Sequence, residues 1–170
     1  MISYNIDEKN CLCCADFPGN VSYDLKWKSY MPPHCPPGYT VYKYLFFEIC
    51  LKFVPSSSNH SEADTNCSNE GAELPKLDSW EKYNIFRSHM RQQRLNYHYT
   101  VWLQGEEIDG VWRFRDGTFF DNNCKTIRQT NYPEETHLTS SSETDFGCDD
   151  EDPANKHHHV CEIYRTFKDF

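Results

Sequence analysis

The stretch YTVWLQGEEIDGVWRFRDG, residues 99–117, decides how the rest of the chain is interpreted. Tyr99 to Leu103 and Val111 to Phe114 are rich in β-branched and aromatic residues, as strands are. The segment Glu106 to Gly110 separates them, and Asp116-Gly117 is a typical turn. The stretch therefore predicts two short strands followed by a sharp turn.

The segments on the N-terminal side predict a hairpin and two helices. Cys35 to Tyr39 is a turn, and Thr40 to Phe53 predicts two strands in a hairpin stapled by Cys35 and Cys50. Ser57 to Glu73 predicts a short helix with Cys67 facing the core. Asp78-Ser79-Trp80-Glu81 has the form of a capping box and predicts a second helix over 79–93.

The remaining segments predict an extension, a loop and a closing strand. Residues 1–34 are polar and irregular, which favours a stalk or N-terminal extension. Residues 118–147 carry few apolar groups and predict a long loop region, and long loops in compact domains are usually functional. His157 to Tyr164 predicts a buried final strand.

Composition points to one disulfide-stabilised extracellular domain. Nine cysteines in 170 residues indicate an oxidising compartment. The hydrophobic fraction is modest, at 38%, so crosslinks would support a small core. The net charge of −9 disfavours nucleic acid and anionic membrane surfaces as partners.

The sequence contains neither a membrane-spanning segment nor a recognisable signal peptide. No apolar run is long enough to insert into a membrane, and residues 1–10 lack the regions of a signal peptide. We therefore expect Met1 to begin a fragment from which a leader or a membrane anchor has been removed. Asn20, Asn59 and Asn66 each begin a glycosylation sequon.

Taken together, these segments resemble the C-type lectin-like domain over roughly residues 35–166. The motifs that carry the resemblance are the Cys-Pro-x-Gly-aromatic opening at Cys35, the helix residues around Cys67, the Trp-Leu-x-Gly strand at Trp102, the Gly-x-Trp-x-Phe-x-Asp-Gly run from Gly110, and the terminal Cys161-Glu162. Any one of these motifs is weak alone, but their order and spacing agree.

The resemblance implies an α+β fold in which two helices flank small antiparallel sheets and a long loop region supplies the ligand surface. It pairs Cys35 with Cys50, Cys67 with Cys161 and Cys148 with Cys124, although Cys124 follows Gly117 sooner than the family pattern has it. Residues 1–34 would then be an extension and 167–170 a tail. Cys11, Cys13 and Cys14 cannot all pair among themselves, so an interchain disulfide in a homodimer and a free thiol both remain open.

Sugar-binding members of the family hold calcium through a Glu-Pro-Asn or Gln-Pro-Asp triplet and an Asn-Asp pair, because the ion needs about six to eight oxygen ligands. Here the loop reads Tyr132-Pro133-Glu134, and the later pair reads Thr144-Asp145. Both halves depart from the pattern, so we expect no calcium-dependent monosaccharide site. The acidic loop then predicts either a solvated acidic face or a structural calcium at Glu134, Glu143 and Asp145.

Other sites find little support in the sequence. His157-His158-His159 could suggest zinc, but alternation along a strand sends His158 to the face opposite its two neighbours. No Ser-His-Asp, Cys-His, phosphate-loop or HExxH arrangement indicates an enzyme.

The sequence therefore predicts a non-enzymatic extracellular recognition module without a cofactor. Its expected partner is a protein, and a glycan bound at an atypical calcium-associated loop site is the alternative. We call the expected binding surface the loop face, and its predicted residues are Phe119, Phe120, Tyr132, Glu134, Asp145 and Phe146.

Overall fold

The computed structural model describes residues 2–5, 10–13, 27–30, 35–93, 95–120, 124 and 132–166. The chain divides into two compact units, Met1–His34 and Cys35–Phe170. The first unit contains an antiparallel sheet with the order β2-β1-β3. Its strands are β1 (Ile2–Asn5), β2 (Asn10–Cys13) and β3 (Trp27–Tyr30). The prediction that residues 1–34 are irregular is therefore wrong for these three segments.

The second unit is built on one seven-stranded sheet with the order β4-β5-β10-β6-β8-β9, and β7 pairs with β6. Strand β10 runs parallel to β6, and the other pairs are antiparallel. With the two helices, the described strands confirm the expected α+β fold, and they are joined in one mixed sheet. The strands are β4 (Thr40–Tyr44), β5 (Phe47–Ser58), β6 (Thr100–Ile108), β7 (Val111–Arg113), β8 (His137–Ser141), β9 (Gly147–Glu151) and β10 (His157–Thr166).

The first helix, α1 (His60–Asn69), is shorter than the predicted helix. Strand β5 continues to Ser58, and Asn59 then caps α1 by accepting a hydrogen bond from the Glu62 backbone N–H. The Glu62 carboxylate in turn accepts from the Asn59 backbone N–H, which completes a capping box. Ala63 and Cys67 form the buried stripe.

The second helix, α2 (Trp80–Gln92), has a different cap from the one that the sequence suggests. Ser79 is the N-cap and accepts from the Lys82 backbone N–H at 3.2 Å. The cap therefore begins one residue later than the Asp78 to Glu81 pattern requires. Tyr83, Phe86 and Met90 face the core.

A buried ion pair fixes α2 against the sheet. The Lys82 ammonium lies 3.0 Å from the Glu162 carboxylate on β10, and both side chains are buried. The same ammonium donates to the Lys76 carbonyl oxygen at 2.8 Å. Burial raises the pKa of Glu162 and Lys82 opposes that rise, so the pairing matters because either charge left alone in the core would be costly.

The predicted loop region over 118–147 contains an interior strand of the sheet. Strand β8 pairs with β6 on one side and β9 on the other, and Leu138 is fully buried. The interpretation as loop was wrong here because Thr and Ser neighbours give no hydrophobic alternation. Leu138 packs directly over Gly105 of β6, where a side chain would overlap it.

Candidate functional site

Three disulfides hold the second unit around the loop region. Cys35–Cys50 closes the hairpin, Cys67–Cys161 ties α1 to β10, and Cys124–Cys148 anchors the loop to β9. These are the pairs that the resemblance implies. The Cys148 backbone N–H also donates to the Cys124 carbonyl oxygen at 3.1 Å.

The cysteines of the first unit are less fully described. Cys11 and Cys13 lie on β2, opposite Tyr4 and Ile2 of β1. Cys14 lies outside the described residues. Their role in an interchain bridge stays a prediction.

Asp145 is held by two arginines of α2. It follows the 3-10 turn Ser142–Thr144 with a left-handed backbone, at φ 55°. The Arg91 guanidinium donates to both carboxylate oxygens of Asp145, at 2.9 and 2.6 Å, and Arg87 donates to the same carboxylate. A calcium ion at Asp145 would have to displace both guanidinium groups.

The three residues predicted as calcium ligands are not brought together. Among the described residues, two groups place three ligand atoms of His, Cys, Asp or Glu within 4.8 Å of one another, and neither contains Glu134, Glu143 or Asp145. Calcium at these three residues stays a prediction, and in this structure the α2 arginines hold the Asp145 carboxylate. Glu134 and Glu143 are both exposed.

The two groups that do assemble are not metal sites. One joins His159 to Cys67 and Cys161, and the other joins Glu48 to Cys35 and Cys50. Both pairs of sulfur atoms are consumed in disulfides. A thiolate is the form of cysteine that binds metals, so each group keeps only one usable ligand, His159 or Glu48, which is too few to hold zinc.

An acidic cluster lies where β8 begins and β9 ends. Glu135 precedes β8, and register places Asp150 opposite Leu138 and Glu151 opposite His137. Burial raises the pKa of Glu135, and the carboxylates of Asp150 and Glu151 raise it further. The sequence predicts that this end of the domain is acidic, but only the β8–β9 register, absent from a predicted loop, decides which of the two segments' residues lie opposite one another.

The predicted aromatic residues of the loop face divide into exposed and packed groups. Phe119 and Tyr132 are 65% and 61% exposed. Phe120 packs against Phe114 with ring centroids 5.6 Å apart. Phe146 is buried against Tyr99 in the core, so it cannot contact a partner. Packing in the core is the usual alternative role of an aromatic residue in a loop.

A second exposed apolar segment was not foreseen. The turn between β4 and β5 presents Leu45 and Phe46, which are 77% and 65% exposed. Tyr44 contacts Phe47 beside them. The sequence Tyr44-Leu45-Phe46-Phe47 predicts strand throughout, because it contains no residue that indicates where the hairpin turns.

The histidines of β10 point to opposite faces. The His157 ring contacts Trp102, and His157 Nε2 lies 3.2 Å from the Glu151 carboxylate. The His158 ring instead lies near Tyr97 and Tyr99. This alternation disperses the three imidazoles, as expected for neighbours on a strand.

The three predicted sequons occupy different settings. Asn66 is exposed on α1 and precedes the disulfide-bonded Cys67. Asn59 uses its side-chain oxygen as the cap of α1. Asn20 lies outside the described residues. Glycosylation at all three stays a prediction.

In the described part of the chain, no helix is both long and apolar enough to cross a membrane. A family model described as "Lectin C-type domain" matches residues 56–163. Among solved structures, human lithostathine superimposes with a TM-score of 0.68 at 17% identity, covering 81% of this chain and 98% of that one.

Two curated relatives are also similar in sequence. C-type lectin domain family 7 member A from Macaca mulatta is 27% identical over 96 residues, which is 56% of this chain and 37% of the relative. Human asialoglycoprotein receptor 2 is 29% identical over 76 residues, which is 45% of this chain and 22% of the relative. The matched segments thus span about a third or less of the relatives' own lengths.

Proposed function

Because the chain belongs to the Lectin C-type domain family, we propose that it is a non-enzymatic extracellular recognition module that binds a protein partner through Phe119 and Tyr132 of the loop face. The disulfides support an oxidising, extracellular setting, since cytosolic reductants would oppose them. The family consists of binding domains, which supports a role in recognition.

The observation that carries this proposal is the way Phe119 is presented. Its ring is 65% exposed, yet the Arg113 guanidinium lies over it, with Cζ 4.5 Å from the ring centroid. Arg113 is itself fixed by a hydrogen bond to the Gly117 carbonyl oxygen at 3.2 Å. An exposed aromatic residue that is already held in place loses little conformational entropy on binding, which favours it as an anchor.

The ion pairs of Asp145 support recognition without calcium. Asp145 is the part of the degraded sugar motif that the sequence retains, and its carboxylate is neutralised by Arg87 and Arg91. This arrangement stabilises the loop without a metal ion. A protein partner needs only shape and exposed contacts at such a surface.

The test uses two phenylalanines of equal exposure. The wild-type protein, Phe119→Ala and Phe46→Ala are applied to an array of purified extracellular proteins, with EDTA present and with the targets enzymatically deglycosylated. We expect at least one target to bind the wild type and Phe46→Ala, and to lose roughly tenfold or more in affinity with Phe119→Ala. Equal loss with both variants, or no loss with Phe119→Ala, would refute the assignment.

A lectin function at the loop is the second candidate, and the acidic cluster favours it. The negative charge of Glu135, Asp150 and Glu151 would attract a calcium ion, although they are not among the described residues whose ligand atoms converge within 4.8 Å of one another. Target binding that disappears with EDTA or with deglycosylation in the same array would select this candidate over the protein partner.

We also propose a disulfide-linked homodimer through the cysteines of residues 1–34. Three cysteines outside the domain leave one sulfur that can bridge two chains. Electrophoresis of the protein without reductant should show twice the monomer mass, which reductant abolishes. Migration at the monomer mass in both conditions would contradict the dimer.

A further inference from the structure

The Cys35–Cys50 disulfide differs from the other two in its access to solvent. Among the cysteines of the described disulfides, Cys35 is the only one that is not fully buried. Thiol–disulfide exchange begins when a thiolate attacks one of the two sulfur atoms, so it depends on access to that atom. An attacking thiol therefore reaches this disulfide at Cys35, because Cys50 is fully buried.

The same disulfide also closes the shortest loop of the three. The sequence separation is 15 residues for Cys35–Cys50, 24 for Cys124–Cys148 and 94 for Cys67–Cys161. In the chain-entropy model, a disulfide that closes a shorter loop contributes less to the stability of the folded protein. Opening Cys35–Cys50 therefore costs the domain less stability than opening either of the others.

A buried carboxylate lies beside the two sulfur atoms. Glu48 and Cys50 are two residues apart on β5, so their side chains lie on the same face of the sheet. A Glu48 carboxylate oxygen and the sulfur atoms of Cys35 and Cys50 all lie within 4.8 Å of one another. In the described part of the chain, neither of the other disulfides has a carboxylate in such a group.

The Glu48 carboxylate lacks the hydrogen bonds that a buried polar group requires. Its side chain is fully buried, and neither oxygen has a hydrogen-bond partner among the described residues. Lys43 Nζ and Arg165 Nη1 lie on the neighbouring strands, at 3.9 and 3.7 Å from the carboxylate, which is beyond hydrogen-bonding distance. A buried carboxylate in this state is costly, and a new donor beside it would lower the cost.

Opening the disulfide supplies that donor. A disulfide has no proton to donate, whereas the S–H group of a thiol is a weak hydrogen-bond donor. A thiol at Cys50 lies beside the Glu48 oxygen and can donate to it, so Glu48 stabilises the opened form relative to the disulfide. A disulfide whose reduced form is stabilised has a higher reduction potential and is opened more readily.

We propose that Cys35–Cys50 is a thiol–disulfide exchange site that takes up a small extracellular thiol at Cys35, with Glu48 stabilising the thiol released at Cys50. The incoming thiolate forms a disulfide with Cys35, the Cys35–Cys50 bond breaks, and Cys50 leaves as a thiolate that takes up the proton lost by the incoming thiol. A second small thiol then attacks the first. This step leaves both cysteines reduced and the two small thiols oxidised to a disulfide.

Opening this site leaves the sheet in place. Cys50 keeps its backbone pairing with Val41 of β4 and with Ile163 of β10. The exchange releases only the side-chain link between Cys35, where the second unit begins, and the hairpin. The site shares no residue with the loop face, so its reaction and the proposed protein recognition can be tested separately.

The test equilibrates the oxidised full chain in glutathione buffers with an increasing ratio of reduced to oxidised glutathione. Acid stops the exchange, and mass spectrometry of alkylated peptides then maps every free thiol and every glutathione adduct. We expect the equilibrium constant for reduction of Cys35–Cys50 to exceed that of Cys67–Cys161 roughly tenfold or more, which corresponds to about 30 mV or more. The trapped mixed disulfide should carry glutathione on Cys35 and a free thiol on Cys50.

Glu48→Gln tests the role of the carboxylate. A neutral amide oxygen accepts a hydrogen bond more weakly than a carboxylate does, so this variant should lower the equilibrium constant for reduction of Cys35–Cys50 roughly tenfold. Glu70→Gln is the matched control, because the Glu70 carboxylate contacts Lys52 of the same strand and does not belong to the group with the two sulfur atoms. It should give the wild-type equilibrium constant.

Three outcomes overturn the proposal. They are reduction of Cys67–Cys161 as readily as Cys35–Cys50, attachment of glutathione to Cys50 instead of Cys35, and an equal equilibrium constant for Glu48→Gln and Glu70→Gln. Circular dichroism of the variants checks folding. The comparison between disulfides uses the wild type alone, so it tests the proposal even if Glu48→Gln fails to fold.

Discussion

The contact between Gly105 and Leu138 gives the sharpest test of the packing. A Cβ at position 105 would overlap Leu138 Cδ1 and would lie 2.8 Å from its Cγ. Leu138 is fully buried on an interior strand, so its side chain cannot move out toward solvent to make room. Gly105→Ala should therefore destabilise the protein by about 1–3 kcal/mol, the usual cost of overpacking a tight core.

Truncating the Leu138 side chain should lower the cost of Gly105→Ala. Leu138→Ala alone leaves a cavity and should destabilise by about 2–5 kcal/mol. In that background the Cδ1 and Cγ atoms are gone, and the added methyl group at 105 faces the remaining Cβ at 3.2 Å. The double variant should then be more stable than the sum of the two single effects by about 1–2 kcal/mol.

Urea denaturation of the oxidised protein, with linear extrapolation, measures all four free energies of unfolding. Gly110→Ala is the matched control, because Gly110 lies in the same hairpin and a Cβ there meets nothing within 4 Å. Its effect should add to that of Leu138→Ala. Additivity within about 0.5 kcal/mol for Gly105→Ala and Leu138→Ala would refute the packing argument.

Three further predictions concern crosslinks, charge and pH. Replacing Cys67 and Cys161 by Ala should cost about 4.7 kcal/mol of stability through chain entropy, and replacing Cys35 and Cys50 should cost about 3 kcal/mol, because the sequence separations are 94 and 15 residues. A larger loss for the Cys35 and Cys50 variant in urea denaturation would contradict this. Asp145→Asn should lower the free energy of unfolding by less than about 1 kcal/mol, since its ion pairs are at the surface. It should also leave the response of the melting temperature to calcium unchanged. A rise with calcium that is seen only in the wild type would show that Asp145 binds the ion. Burial lowers the pKa of His89 to about 4, so the unfolded chain takes up a proton before the folded one as the pH falls below about 6.5, and on the order of 3 kcal/mol of stability should be lost between these two pH values. His89→Gln should flatten the dependence of the unfolding free energy on pH, and the same dependence in both proteins would show that His89 is not its source.

Local patterns in the sequence predicted the elements whose residues carry their own signal. The Asp78 to Glu81 pattern and the apolar spacing of Phe86 and Met90 predicted α2 to within a residue at each end. The hairpin around Cys50 was predicted for the same reason. The second half of β5 was missed because its Pro-Ser-Ser-Ser sequence resembles a loop, and pairing with β10 holds it extended.

The candidate site was less predictable, because its parts come from distant segments. Asp145 was predicted to lie on a solvated acidic face or to bind calcium, and it instead pairs with Arg87 and Arg91, which lie more than 50 residues earlier in the chain. Phe119 and Phe146 are chemically identical, yet one is exposed and the other is buried. No local pattern separates them.

The motifs of the amino-acid sequence by themselves indicated the family, and the resemblance to that family implied which cysteines pair. Turn residues and apolar periodicity predicted the order of the main elements, because these signals act over short distances. Tertiary structure alone decided that a Thr-rich and Ser-rich segment becomes the interior strand β8, that Asp145 is neutralised by α2, and that Glu48 lies buried beside the Cys35–Cys50 disulfide. The physical reason is that these outcomes depend on which surfaces remain after the sheet is assembled. Burial and charge pairing between remote residues cannot be read from either segment alone.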